Sequence, residues 1–315
     1  MARESTPAAP ANDARCVAVV VHYRDAAATL RCIGSLRCQS PRPTIVLVDN
    51  ASPDGSGDHL ATALAGERGL RLLRSPHNGG FGAGCNLGID HALREWPDLD
   101  HVLLLNPDAE LAPNGLAELF ATACRHPLCG IVGCRIDDAT GRLWFGNGRR
   151  PGCTLSGMHV PPPTGAEEHP AGFVSGACML IAADLLRRGL RFDETYFLYC
   201  EDVDLCAEVE ARGRELWVTQ RTHVRHVGGG SQPGDPVLGE LTADRLYWLT
   251  RAKVLLAHRR LGRLRRCAFL AIAALVKPLI GLLVTRSTRF LGPYLRGLRD
   301  GWRAARSRRI ANDLG

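Results

Sequence analysis

The strongest constraint on the fold is the β-branched run CVAVVVHY at 16–23. An apolar run without polar interruptions is typical of a strand that is buried on both faces of a sheet. Further strand-like runs follow at 44–50, 70–75, 101–108 and 130–136, and helix-like stretches occupy 26–38, 81–96 and 115–126. Strands that alternate with helices predict an α/β fold with a mostly parallel sheet and flanking helices.

Polar side chains stand where three of these predicted strands end. Tyr23 follows the first strand, Asp49 and Asn50 the second, and Asn106 and Asp108 the fourth. Ligands of such sheets bind beyond the carboxyl ends of the strands, so these residues predict a binding edge. The alternative is that each residue only forms a turn or caps the next helix.

Two stretches carry the chemistry of a nucleotide site. In VDNASPDGS, Asp49 offers a carboxylate to the imide N–H of uracil or thymine, and Asn50 and Ser52 stand beside it. The glycine-rich HNGGFGAGCNLGI at 77–89 fails the dinucleotide-binding spacing because Cys85 replaces the third glycine, which weighs against a nicotinamide oxidoreductase. It predicts either a backbone close to nucleotide or sugar, or a glycine-rich helix entry.

An acidic turn and a histidine indicate a divalent cation. In LLLNPDAEL, Asp108 supplies one charge and Asn106 takes the place of a first carboxylate. Mg²⁺ and Mn²⁺ prefer hard oxygen ligands and bridge phosphates. His226, in HVRHVGGGS, is the candidate second ligand, although a lone histidine near a strand is often structural.

Carboxylates crowd the start of a predicted helix in YCEDVDLC. Glu201, Asp202 and Asp204 either interact with the helix dipole or provide a general base for an attacking hydroxyl. Twelve cysteines show no zinc-type spacing and are interpreted as buried, reduced thiols.

The charge of the chain is unevenly distributed. Sixteen Lys and Arg and two Asp follow position 250, whereas 23 basic and 30 acidic residues precede it. The apolar run 267–284 is interrupted at Lys277-Pro278, which predicts an interfacial helix pair on an anionic membrane surface rather than a span. The alternative is a helix that packs on the rest of the protein. Nucleic-acid binding is not predicted because aromatic residues are not interleaved with the charges. The arginines assigned to lipid headgroups are Arg259, Arg260, Arg263, Arg265 and Arg266.

In their order along the chain, the stretches at 48–56, 77–89, 103–111, 199–206 and 223–231 resemble the family-2 inverting glycosyltransferases, especially the bacterial rhamnosyltransferase-like branch. The resemblance runs from about Val17 to Arg260 and is most specific over 172–213. It implies a GT-A fold at 16–245, with a nucleotide-binding half at about 16–136 and an acceptor half at about 137–245. Residues 1–15 are expected to be a disordered lead-in, and 246–315 a basic helical C-terminal region. The Gly- and Pro-rich 142–172 predicts an irregular or hairpin excursion.

The resemblance also implies roles for single residues. Asp202 is expected to be the catalytic base and Glu201 to orient the acceptor, while Asp108 and His226 would bind Mg²⁺ or Mn²⁺. The family's usual Asn-Tyr-Asn is replaced here by His22-Tyr23-Arg24. Contacts to the nucleotide-sugar are expected from Tyr23, Asp49, Asn50, Ser52, Asn78, Gly80, Asn86 and Asn106.

The implied function is transfer of a sugar, with rhamnose from dTDP-rhamnose as the first choice, to a saccharide or lipid-linked acceptor in cell-surface polysaccharide synthesis. Another UDP-sugar such as UDP-galactofuranose, or a non-catalytic nucleotide-sugar-binding protein, remains an alternative. The expected location is cytoplasmic, peripheral on the inner face of the cell membrane.

Overall fold

The computed structural model describes residues 16–150, 157–227 and 242–313, so the expected lead-in at 1–15 lies outside the described residues. The strands are β1 Cys16–His22, β2 Thr44–Asp49, β3 Leu70–Arg74, β4 His101–Leu105, β5 Ala109–Leu111, β6 Cys129–Asp138, β7 Leu143–Phe145, β8 Asn147–Arg149, β9 Met158–Val160, β10 Glu168–Pro170, β11 Cys178–Ala182 and β12 Glu215–His226. The helices are α1 Ala26–Arg37, α2 Ser56–Ala63, α3 Phe81–Glu95, α4 Gly115–Arg125, α5 Ala183–Arg187, α6 Glu201–Ala211, α7 Ala243–Arg260, α8 Arg263–Ala271, α9 Lys277–Thr285 and α10 Leu291–Asp313.

One large sheet organises the molecule. Within the described residues its order is β10-β12-β6-β11-β4-β1-β2-β3, with β5 beside β12 and β7 beside β6. The β1, β2, β3 and β4 strands pair in parallel, as do β6 and β12, whereas β11 runs antiparallel between β4 and β6. Every residue of β1 and β2 is buried, as expected for strands covered on both faces. The prediction of a mostly parallel α/β sheet is confirmed.

The chain between β6 and β11 makes the predicted excursion. The β7 strand extends β6 as an antiparallel neighbour, and β8 and β9 form a separate antiparallel pair. The β10 strand then pairs with β12 at the edge of the large sheet. This excursion carries aromatic and histidine side chains over the β12 end of the sheet, because Trp144 lies beside His226 with ring centroids 5.4 Å apart.

The α7 helix packs on α6 and on the main hydrophobic core through both apolar and charged contacts. Its residues Ala252, Leu255 and Leu256 belong to the main hydrophobic core. Arg259 forms ion pairs with Asp193 at 2.7 Å and Asp204 at 2.8 Å, and Arg260 forms ion pairs with Asp204 at 2.6 Å and Glu208 at 3.3 Å. The helix is therefore attached to α6, although the expected domain boundary places most of it in the C-terminal region.

These ion pairs correct one expectation. Arg259 and Arg260 were assigned to lipid headgroups, but each is paired with a carboxylate inside the protein. The guanidinium of Arg259 is required there because the side chain of Asp204 is only 4% exposed, and a buried carboxylate without a cationic partner is strongly destabilising.

The apolar C-terminal run forms one helix rather than a pair. A single helix of 22 residues extends over Arg263–Val284, and it is long and apolar enough to cross a membrane by length and composition. Lys277 and Pro278 do not split it, because a π-helical turn at Ile272–Val276 precedes the proline, which stands in the first turn of α9. Proline lacks a backbone donor, and a locally widened turn accommodates that loss.

Candidate active site

The carboxyl ends of β1 and β2 form the first part of the site. His22 and Asp49 are register partners, and the Asp49 carboxylate accepts a hydrogen bond from the Ser52 N–H at 3.0 Å. The Ser52 hydroxyl in turn accepts from the Arg24 N–H at 3.0 Å. Tyr23 is 40% exposed at this edge. The structure thus brings Tyr23, Asp49 and Ser52 together, as the sequence predicts.

His22 supports this edge from below. The side chain is fully buried, with Nδ1 2.8 Å from the Thr29 hydroxyl and Nε2 2.9 Å from the Ser56 hydroxyl. Burial lowers the pKa of His22, although the nearby charge of Asp49 opposes the shift. A neutral imidazole therefore fixes α1 and α2 against β1.

Asn50 joins the strand ends to the glycine-rich segment. Its amide donates to Asn78 Oδ1 at 2.9 Å and to the Gly80 carbonyl at 3.0 Å. Asn78 Oδ1 also accepts from the Gly80 N–H at 3.0 Å. Asn50 and Asn78 thus hold the turn that enters α3 beside Asp49, and Asn50 is buried in doing so.

The glycines of this segment face protein atoms. A Cβ on Gly80 would lie 2.1 Å from the Phe197 carbonyl oxygen, and one on Gly82 would lie 2.9 Å from the Phe192 Cβ. On α3, a Cβ at Gly84 or Gly88 would meet β1 side chains at 2.5 and 2.4 Å. Of the two predicted interpretations, the structure supports the glycine-rich helix entry, in which the glycines permit close packing.

Asn86 is likewise occupied within the protein. Its amide donates to the Phe192 carbonyl and to Glu194 Oε1, both at 2.9 Å, and its Oδ1 accepts from the Phe192 N–H at 3.0 Å. These three bonds make Asn86 a support for the segment 192–194, and its expected contact to the nucleotide-sugar stays a prediction.

Asp108 and His226 meet at the ends of β4 and β12. His226 Nε2 lies 3.0 Å from Asp108 Oδ1 and 3.3 Å from Asn106 Nδ2. The backbone fixes the meeting, because His226 is the register partner of Ala109 and the Val227 N–H donates to the Asp108 carbonyl at 2.9 Å. The Gly228–Gly230 and Ser231 part of the histidine motif lies outside the described residues.

The Asp108 and His226 side chains could supply two ligands of a divalent cation whose other ligands come from phosphate oxygens and water. Adjacent ligands of an octahedral ion at about 2.1 Å are about 3 Å apart, which matches the separation of the Asp108 oxygen and the His226 nitrogen. Among the described residues no group of three or more His, Cys, Asp or Glu side chains could hold a metal. Phosphate oxygens and water would have to complete the coordination, as is usual for Mg²⁺.

Asp202 stands in the first turn of α6 with both carboxylate oxygens oriented. Oδ2 accepts from the Gly176 N–H at 3.1 Å, and Oδ1 accepts from its neighbour Val203 N–H at 2.8 Å. Burial raises the pKa of Asp202 above its usual value, and these two donors oppose the shift. A raised pKa makes the ionised carboxylate a stronger base.

Glu201 is buried beside it with a different environment. Among the described residues, Glu201 Oε2 has no hydrogen-bond partner. Burial and the charge of Asp202 together raise the pKa of Glu201 to about 8. The raised pKa favours the neutral carboxylic acid, whose hydroxyl is a hydrogen-bond donor.

The segment before β11 connects the two carboxylate regions. The Asn106 N–H donates to the Ala177 carbonyl at 3.1 Å, and the preceding Gly176 holds Asp202. Asp108, His226 and Asp202 are thus brought to the same edge of the sheet. Their roles in binding and catalysis remain predictions.

His159 and Trp144, which the sequence did not single out as site residues, lie between these regions. The His159 ring is 4.4 Å from the Trp144 ring, and Trp144 lies beside His226. Burial lowers the pKa of His159, whereas the charge of Asp202 acts to raise it. Both residues come from the Gly- and Pro-rich excursion, where only the aromatic and histidine composition of 144–159 could have signalled a site.

Residues 16–190 match the Glycosyl transferase family 2 domain, which is more than half of the chain, and the chain belongs to this family. The GT-A fold that the resemblance implied is confirmed.

One curated relative is more specific. The N-acetylglucosaminyl-diphospho-decaprenol L-rhamnosyltransferase of Mycobacterium tuberculosis is 31% identical over 211 residues, which cover 59% of this chain and 67% of the relative. The resemblance to a rhamnosyltransferase branch is confirmed at this level.

Solved structures share the fold at low sequence identity. GalNAc-T7, crystallised with UDP, GalNAc and Mn²⁺, has a TM-score of 0.64 and 15% identity over 84% of this chain and 51% of that chain. TarS of S. aureus, in complex with UDP-GlcNAc, has a TM-score of 0.57 and 14% identity over 92% of this chain and 81% of that chain.

Proposed function

We propose that this chain transfers L-rhamnose, with inversion, from dTDP-rhamnose to a hydroxyl of a saccharide or lipid-linked acceptor in cell-surface polysaccharide synthesis. The observation that carries the proposal is the placement of Asp108, His226 and Asp202 at one edge of the sheet. The name of the mycobacterial relative favours rhamnose as the sugar and a polyprenyl diphosphate as the carrier of the acceptor. The reaction is placed on the cytoplasmic side, at the inner face of the membrane.

The base is the carboxylate of Asp202. Its two backbone donors fix the orientation of both oxygens, so that it can take the proton of an acceptor hydroxyl without first reorganising. The hydroxyl oxygen forms the new bond to the anomeric carbon while the bond to the diphosphate breaks on the opposite face, which inverts the configuration. General-base assistance of this kind typically contributes about 10²–10⁴ in rate.

Glu201 contributes to acceptor binding in this scheme. In its neutral form, which burial and the charge of Asp202 favour, it can donate a hydrogen bond to an acceptor oxygen. Assigning the proton of this pair to Glu201 would leave Asp202 as the base, an arrangement that separates acid and base roles in one site.

Donor binding is assigned to the other strand ends. Asp49 would accept from the imide N–H of thymine or uracil, while Tyr23, Asn50 and Ser52 shape the surrounding edge. Asp108 and His226 would hold Mg²⁺ or Mn²⁺, which when bound supplies charge compensation for the leaving diphosphate. Because thymine and uracil share the imide, UDP-sugars such as UDP-galactofuranose remain the second candidate donors.

The proposal is tested with the purified chain and candidate donors. We expect dTDP-rhamnose with Mn²⁺ to raise the melting temperature more than UDP-galactofuranose or UDP-GlcNAc, and to be turned over with an N-acetylglucosaminyl diphospholipid as acceptor. We expect EDTA to stop turnover. Full activity in EDTA would remove Asp108 and His226 from their metal roles, and donor binding without any turnover would favour the non-catalytic alternative.

Asp202→Asn tests the base. The variant should retain the donor-induced shift in melting temperature while turnover falls by about 10²–10⁴. Asp184→Asn is the matched control, because Asp184 also stands in the first turn of a helix but at the opposite end of β11, and it should remain active. Turnover of Asp202→Asn within tenfold of wild type would contradict the assignment.

A further inference from the structure

The helix Arg263–Val284 has one protein-bound face and one exposed face. Ala273 and Gly281 are buried, and the Tyr294 hydroxyl of α10 donates to the Ala273 carbonyl at 2.7 Å. On the other side, large apolar side chains are strongly exposed. We call this surface the apolar face, and its residues with their exposed fractions are Leu264 87%, Ile272 50%, Leu275 72%, Leu279 58%, Leu283 70% and Val284 59%.

The apolar face is an aligned stripe. Leu275, Leu279 and Leu283 are spaced by four residues and therefore lie on the same side of the helix. The helix is about 33 Å long at 1.5 Å per residue, and contiguous apolar surface of this kind marks an interaction site. By the same spacing, Ala273 and Gly281 lie on the protein-bound side.

The charge around the apolar face is entirely positive. Between positions 261 and 299 the sequence has eight Lys and Arg residues and no Asp or Glu. Arg263 and Arg265 are exposed at one end of the helix, and Arg286 and Arg289 just beyond the other. Positive charge at both ends of an apolar stripe is complementary to an anionic lipid surface.

The packing of α10 determines how the helix can meet a bilayer. At Gly297 and Gly301 of α10 a Cβ would lie 2.7 Å from the Tyr247 and Arg251 carbonyl oxygens of α7, so α10 and α7 are in close contact. The α7 helix is fixed to α6 by Arg259 and Arg260. A transmembrane position for the helix would draw α10, with exposed Arg296 and Arg303, towards the hydrocarbon, which is costly.

We propose that the apolar face lies in the plane of an anionic bilayer, with Leu275, Leu279 and Leu283 among the acyl chains and the flanking arginines at the headgroups. This inference deepens the proposed function and rests on it for its purpose, because a lipid-linked acceptor would be presented at that surface. The buried side of the helix stays on α10 when the apolar face inserts.

Flotation with vesicles tests the surface without donor or acceptor. The full chain should float with phosphatidylcholine vesicles that contain phosphatidylglycerol, float poorly with phosphatidylcholine alone, and dissociate as salt increases. Leu275→Glu and Leu283→Glu should each lower vesicle binding about tenfold or more, because a leucine that would insert among the acyl chains is replaced by a charge. Leu128→Glu is the control, since Leu128 is 56% exposed far along the chain from this helix and should bind as wild type does.

The other outcomes contradict the proposal. Unchanged binding in both glutamate variants, or binding that ignores phosphatidylglycerol, would remove the apolar face as the lipid contact. Resistance to alkaline carbonate extraction would indicate a spanning helix, and lipid-independent dimers that the same variants dissolve would indicate a second copy as the partner. Donor-induced melting shifts, measured without lipid, should be unchanged in the variants, so a failed donor assay would count only against the proposed function.

Discussion

Glu201 and Asp202 are adjacent in the sequence, yet their surroundings separate their chemistry. Asp202 receives two backbone N–H donors, whereas Glu201 Oε2 has no hydrogen-bond partner among the described residues. Donors stabilise an ionised carboxylate, and burial with fewer donors favours the neutral acid. The pair is therefore organised by the backbone of α6 and the segment before β11 rather than by the residue types alone.

Replacing Glu201 should reveal its protonation state. Because its folded-state pKa is raised to about 8, its contribution to stability is fully present below its usual value near 4.5 and is lost as the pH rises through about 8. Glu201→Gln, which cannot ionise, should be more stable than wild type at pH 8.5, and this gain should shrink towards pH 5. Denaturant unfolding at several pH values measures the free energy of unfolding.

The matched control has the opposite sign. Burial acts to raise the pKa of Glu208, but Arg212 and Arg260 outweigh it and lower the pKa below its usual value. Glu208→Gln should therefore lose stability relative to wild type at neutral pH, and the loss should diminish in acid. A Glu201→Gln variant that follows the same pH dependence as Glu208→Gln would contradict a neutral Glu201.

The sequence predicted which residues lie at the strand ends better than it predicted their hydrogen-bond partners. Asp49, Asn106 and Asp108 could be placed because parallel strands end at a common edge. The three bonds of Asn86 could not be foreseen, because their partners Phe192 and Glu194 are more than 100 positions away. Periodicity describes one element at a time and contains no information on which distant backbone will approach it.

At the scale of elements, α3 shows how glycines determine packing. The helix begins at Phe81, whose N–H donates to the Phe197 carbonyl at 3.2 Å. Gly80 has a φ of +91° and no room for a Cβ against the same carbonyl. This contact joins the segment that enters α3 to the turn that precedes α6.

Gly80→Ala should destabilise the protein for two reasons, backbone conformation and steric overlap. Gly66→Ala is the control, because Gly66 has a φ of +75° but nothing within 4 Å of its added Cβ. Gly66→Ala should cost roughly 1 kcal/mol of unfolding free energy, and Gly80→Ala at least roughly 1 kcal/mol more. Equal losses in chemical denaturation would show that the contact with Phe197 yields without cost.

The strands and helices of the first half were predictable to within a few residues at most ends, since burial on both faces leaves a clear apolar pattern. The C-terminal helix was not, because Lys277-Pro278 was interpreted as a break. A proline removes one hydrogen bond, and the π-helical turn at Ile272–Val276 absorbs that loss without ending the helix.

At the scale of the whole molecule, stability should decrease from the sheet to the C-terminal helices. The β1, β4 and β11 strands lie at the centre of the large sheet and are almost entirely buried. The α7 helix shares their hydrophobic core. In the helix Arg263–Val284, by contrast, only 11% of the apolar 18-residue segment is buried. Few buried contacts permit local opening without global unfolding.

Hydrogen exchange of the full chain without lipid should reproduce this order. We expect amides of β1, β4 and β11 to exchange slowest, α7 to follow them closely, and the helix Arg263–Val284 to exchange faster. Comparable exchange rates in α7 and in that helix would contradict the packing of α7 on the main hydrophobic core. The control is the same chain in the same buffer with dTDP and Mn²⁺ added. Bound ligand should slow amide exchange in the loops at the strand ends and leave the exchange of the helix Arg263–Val284 unchanged.

The attachment of α7 through Arg259 and Arg260 has a mechanical consequence. Both arginines form ion pairs with Asp204, which is two residues after Asp202 on α6. The proposed base and the residue that anchors the C-terminal helices therefore lie about half a turn apart on one helix. On the proposed assignment of Asp202, a displacement of the C-terminal helices is transmitted through α6 to the alignment of the carboxylate with the acceptor hydroxyl.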